Sequence, residues 1–65
     1  MKEKKFTGTF QYSEHFEVDG DEYVRYYFIN SFSDPFIWMI PAQRKLSLER
    51  GESYTVFGVL AISEV

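Results

Sequence analysis

Three stretches of this chain place aromatic and apolar residues at strand spacing on both faces: Tyr23-Val24-Arg25-Tyr26-Tyr27-Phe28-Ile29, Phe36-Ile37-Trp38-Met39-Ile40 and Tyr54-Thr55-Val56-Phe57-Gly58-Val59-Leu60-Ala61-Ile62. Side chains alternate across a strand, so a half-buried strand needs one apolar face only. With seven phenylalanines, five tyrosines and one tryptophan in 65 residues, the chain carries more apolar surface than one core of this size consumes. The surplus calls for a partner.

The size sharpens that constraint. A chain this short makes one domain, residues 1–65, and buries only about 60% of the surface its unfolded form exposes. Disulfides, a metal or self-association usually add the missing stability. The chain has no cysteine and a single histidine, His15. Disulfides, thiolate metal sites and cysteine nucleophiles are excluded together, which leaves dense aromatic packing or a homodimer. No apolar run is long enough for a membrane-spanning helix. The charged Met1-Lys2-Glu3-Lys4-Lys5 is followed by no apolar stretch of the kind a signal peptide needs, so the expected location is cytoplasmic.

The strands follow from the punctuation. Phe6, Gly8, Phe10 and Tyr12 are expected on one face of a first strand and Thr7, Thr9 and Gln11 on the other, with Gly8 marking a bulge or a close backbone approach. After a short polar break, Phe16-Glu17-Val18 leads to Asp19-Gly20, a strong signal for a tight type I′ hairpin turn. The second strand is expected over about 22–30. Asn30 to Pro35 is a loop, the third strand covers 36–40, and Pro41 stops it. Residues 41–50 have the only room for a helical turn, which Pro41 to Lys45 can make with proline in its first turn. Leu46 and Leu48 alternate with Ser47 and Glu49, so a short strand there is equally open. Arg50-Gly51-Glu52 is a turn, and a last strand is expected over 53–63. The fold expected is all-β: a small antiparallel β-barrel of four to five strands, closed or nearly so because open edges on so apolar a sheet would aggregate.

Chemistry is scarce. His15 beside Glu14 lacks a nucleophile and an orienting third group. The acids Asp19, Asp21 and Glu22 lack the spacing of a calcium loop and read as a solvated hairpin tip. No phosphate-cradling glycine loop occurs. No catalysis, cofactor or metal is expected. Net charge is −3, with basic residues at Lys2, Lys4 and Lys5 and again at Arg44, Lys45 and Arg50.

The stretch from Leu46 to Val59, with Gly51, Tyr54, Val56 and Gly58 at Gly-x-x-Tyr-x-Val-x-Gly spacing, resembles the segment before a late strand in OB-fold proteins. Among these are the small single-stranded DNA-binding proteins of phages and mobile elements; SH3-like barrels can show a similar pattern. The resemblance implies a single-stranded nucleic-acid ligand laid across the second and third strands, stacked on aromatics and held through phosphates by Lys and Arg. Carried onto this chain, it implicates Tyr23, Arg25 and Tyr27 (or the alternate face, Tyr26 and Phe28), Trp38 from the third strand, and Arg44 and Lys45; Phe36, Trp38 and Ile40 can be core or platform. Arg25 shares a face with Tyr23 and Tyr27, and an unpaired charge seldom faces a small core, so that face is expected outward. The competing expectations are a protein-interaction module or small inhibitor using an exposed aromatic patch, and a structural homodimer that buries the second face.

Overall fold

The computed structural model describes residues 5–58 and 61–65. Five antiparallel strands form one sheet in the order β3-β2-β1-β4-β5. They are β1 (Lys5–Val18), β2 (Asp21–Ile29), β3 (Pro35–Pro41), β4 (Ser53–Phe57) and β5 (Ala61–Glu64), with a 3-10 turn at Ala42–Arg44 between β3 and β4. The long β1 is shared. Its first residues, Lys5 to Thr9, pair with β4, and Thr9 to Val18 pair with β2.

The Asp19-Gly20 hairpin forms as the sequence expects. Both residues have positive φ, 50° and 85°, the requirement of a type I′ turn. Pro35 and Pro41 bound β3, and the turn after it falls where proline permits a helical start.

One face of the sheet is the core: Phe10, Val24, Tyr26, Phe28, Trp38, Ile40, Tyr54 and Val56 are buried, and Phe36, Ala42, Leu48 and Ile62 pack around them. Residues 45–50 close over this face through two tyrosine hydroxyls. Tyr26 Oη donates to the Leu46 carbonyl at 2.8 Å and accepts from the Leu46 N–H at 2.7 Å, so a side chain takes the place of a ladder partner. Tyr54 Oη accepts from the Glu49 N–H at 2.9 Å. A connector too short for a helix thereby becomes a lid on the core.

Four expectations are corrected. The sheet is not closed into a barrel: β3 and β5 are its two outer strands and do not pair with each other. Tyr12 does not share a face with Phe10. The pairing passes from Phe10↔Phe28 to Tyr12↔Tyr27, so Gln11 is an extra residue that turns every later β1 side chain to the opposite face. Arg50 Nε donates to the Gln11 carbonyl at 3.0 Å and satisfies the acceptor that the bulge takes out of the ladder. The last strand is two strands, folded back at Gly58 (φ 58°) so that Val56 pairs with Ile62. Its expected members Val59 and Leu60 lie outside the described residues. Finally, Trp38 is buried in the core at 5% exposure, on the face opposite Tyr23, Arg25 and Tyr27.

Candidate binding face

The face turned away from the core divides into two zones. Over the first half of β1 and over β4 it is polar apart from Phe57, which Lys5 overlies: the Thr7 and Thr55 hydroxyls meet at 2.8 Å, and those of Thr9 and Ser53 at 3.4 Å. Over the far half of β1 and all of β2 and β3 it is aromatic and apolar. The bulge at Gln11 makes the boundary, because only beyond it do Tyr12, Glu14 and Phe16 join Tyr27, Arg25 and Tyr23 on one surface.

Within the second zone the side chains order one another. Tyr12 stacks on Tyr27, with ring centroids 4.4 Å apart and planes 15° from parallel. Phe16 stacks on Tyr23 at 5.6 Å and 26°. Arg25 lies between the two pairs. Its guanidinium carbon stands 4.0 Å from the Phe16 ring centroid, and Nη2 reaches Glu14 Oε1 at 3.3 Å. The same carboxylate oxygen accepts from the Tyr27 hydroxyl at 3.1 Å. Partial burial raises the Tyr27 phenol pKa, and the Glu14 hydrogen bond and charge add to the shift, while Arg25 opposes it. Glu14 and Arg25 thus neutralise each other inside an aromatic frame.

On β3, Ile37 stands opposite Tyr27 and Met39 opposite Arg25. Ile37, Tyr12 and Met39 are 52%, 50% and 47% exposed, which makes them the open part of the patch. A further aromatic, Phe32, projects from the β2–β3 turn at 84% exposure. The turn is held by the Asn30 side-chain oxygen, which accepts from the N–H groups of Phe32 and Asp34, each at 2.9 Å.

Of the residues singled out from sequence, Tyr23, Arg25 and Tyr27 come together on this face. Tyr26, Phe28 and Trp38 belong to the core. Arg44 and Lys45 are exposed, but they belong to the connector whose next residue, Leu46, is bonded to Tyr26 over the core face. The sheet therefore separates them from the aromatic patch. Tyr12, Phe16, Ile37 and Met39 were not singled out. Alternation along β3 opposite the Trp38 face would have found the last two; nothing in the sequence signals the parity change that brings in the first two.

Among the described residues, no group of three or more His, Cys, Asp or Glu stands together to hold a metal ion, and no helix is long and apolar enough to cross a membrane. His15 Nε2 pairs with Glu22 Oε1 at 3.1 Å, both side chains exposed, rather than with Glu14. Comparison of the chain with protein-family models, curated proteins and solved structures finds no match.

Proposed function

We propose that this chain is a non-catalytic binding protein that presents the outer face of β1, β2 and β3 to a protein partner. The observation that carries the reading is the combination of an open apolar patch, Tyr12, Ile37 and Met39, with the self-neutralised Arg25–Glu14 pair at its centre. Tyrosine and arginine anchors with partly ordered side chains are what protein interfaces use as hot spots, because little rotamer freedom remains to be lost on binding. The charges nearest the patch also favour this reading. At the hairpin tip that continues β1 and β2, Asp21 shares the outer side with Tyr23 and Arg25, while Glu17 and Glu22 lie on the Val24 side. Among the described strand residues the outer face has two cations, Lys5 and Arg25; Arg25 is engaged by Glu14, and Arg50 of the connector is bonded to the Gln11 carbonyl.

Single-stranded nucleic acid is the second reading, and the topology favours it. Five strands in the order β3-β2-β1-β4-β5, with β3 and β5 left unpaired, agree with an OB-like barrel opened at its final seam. OB-folds take oligonucleotides on the face of strands 2 and 3, where Tyr23, Tyr27, Ile37 and Met39 lie. Such sites also track phosphates with a positively charged groove. Here Arg44 and Lys45 stand on the other side of the sheet, which puts this reading second.

Affinity capture from the source cells, with wild-type protein and a Tyr27→Ser/Ile37→Ser variant, tests the first reading. A defined protein retained by the wild type and lost with the folded variant is the expected result. Equal retention by both would remove the outer face from the interaction.

A further inference from the structure

The outer edge of β3 is unusual for an exposed sheet edge. Its interior, Phe36 to Ile40, has no charge and no proline, and β3 pairs with β2 on one side only. Edges left open in monomers are ordinarily blunted by charged side chains, by proline, by a bulge or by shortness; in β3 the prolines stand only at the two ends, Pro35 and Pro41. The register of β3 with β2 runs unbroken over seven pairs, from Tyr23↔Pro41 to Ile29↔Pro35, so no bulge protects it. The opposite edge is β5, only four residues long and bearing Glu64. The two edges are not equivalent.

We propose that β3 pairs edge to edge with β3 of a second copy of this chain, antiparallel and centred on Trp38, joining two sheets into one. The two-fold centre follows from the prolines. Pro35 and Pro41 lie equally far from Trp38, so this register alone matches all five residues between them with the same five of the other copy. It sets Phe36 against Ile40 and Ile37 against Met39, and every cross-strand pair is apolar. The contact is isologous, and each side supplies the same patch.

Charge complementarity supports the same register. Asp34 immediately precedes β3, and the 3-10 turn carrying Arg44, followed by Lys45, closely succeeds it. Antiparallel pairing about Trp38 brings the Asp34 end of one copy alongside the Arg44–Lys45 end of the other, at both ends of the interface. A parallel pairing would set like ends together. The dimer also places Ile37 and Met39 of both copies side by side and doubles the apolar outer face. The inference is independent of what that face binds.

Sedimentation equilibrium across a wide concentration range tests it, on the full chain and on variants confirmed as folded by circular dichroism. The wild type is expected at twice the 7.7 kDa chain mass. In the Ile37→Lys/Met39→Lys variant like charges would stand directly opposite across the two-fold, which is destabilising, and association should weaken at least tenfold. In Ile37→Lys/Met39→Glu the same register sets opposite charges face to face, and the dimer should return. Tyr12→Ser, on the outer face but away from the edge, should leave association unchanged. A wild type that stays at 7.7 kDa throughout would overturn the proposal, as would an undiminished lysine pair variant. A lysine–glutamate variant as weak as the lysine pair would overturn the register, and a monomeric Tyr12→Ser would move the contact to the outer face.

Discussion

Gly8 and Phe36 meet so closely that a Cβ at position 8 would fall 2.7 Å from Phe36 Cε1, and 2.9 Å from the carbonyl oxygen of Ile29. The first neighbour is a side chain that can move. The second is backbone of the strand paired beside it and cannot. Glycine at this point lets β1 come close enough to β2 and β3 for Phe36 to lie over the strand, where it also stacks on Phe28 at 5.1 Å. Gly8→Ala should therefore destabilise the fold by about 1–3 kcal/mol, the usual cost of forcing an extra carbon into packed surroundings. Urea denaturation measures it, and an unchanged midpoint would contradict the close approach.

The lid over the core depends on a phenol. Tyr26→Phe removes the oxygen that both donates to and accepts from Leu46. A loss of about 1–2 kcal/mol is expected, since Leu46 is partly open and water can replace one of the bonds. Hydrogen exchange at the Leu46 amide should accelerate well beyond that at the centre of β2. Equal protection in wild type and variant would show that the connector is held in some other way.

Two phenylalanines four positions apart contrast sharply in burial. Phe28 is 1% exposed in the core and Phe32 is 84% exposed on the turn. Phe28→Ala should cost about 3–5 kcal/mol, enough to unfold a domain of this size. Phe32→Ala should stay within about 0.5 kcal/mol of wild type. Thermal melts of both variants check the division of the sheet into a buried and an open side. The partly buried Phe57, on the outer face, should fall between them.

Tyr27 supplies a pH dependence. Its phenol titrates above the ordinary tyrosine value, first through partial burial and then through the Glu14 hydrogen bond. A raised pKa in the folded state means that the folded chain keeps a proton the unfolded chain has lost. The associated stability is complete below the unfolded tyrosine pKa, about 10, and disappears as pH climbs through the folded value. Phenolate absorbance followed with pH in wild type and in Glu14→Gln should differ by one tyrosine's worth of signal, displaced to lower pH in the variant. A Tyr27 titration untouched by Glu14→Gln would break the link between the two residues.

Much of this architecture is legible in the sequence where turn chemistry is local. Asp19-Gly20 dictates its hairpin, Pro35 and Pro41 frame β3, and Arg25 correctly marks the side of β2 that faces away from the core. The rest depends on long-range pairing. Nothing near Gln11 announces a bulge, since its carbonyl is satisfied by Arg50, 39 positions away. With the bulge unseen, Tyr12 and Phe16 cannot be assigned to the face they occupy. Gly58 sits in an apolar run that reads as one strand, and only its positive φ shows that the run folds back. Trp38 satisfies the same alternation whether it faces core or solvent. The packing of β3 beneath the connector decides the matter.

A protein and a single-stranded nucleic acid make opposite demands on the charge of the outer face, and the choice between them turns on it. Titrating a fluorescently labelled dT oligonucleotide with the chain, and following its anisotropy at low and moderate salt, makes that choice. With Arg25 engaged by Glu14 and Arg44 and Lys45 across the sheet, the anisotropy should stay flat to tens of micromolar protein, even at low salt. Saturable binding that weakens as salt rises, and that Tyr27→Ala reduces, would contradict the account and return the aromatic face to stacked bases.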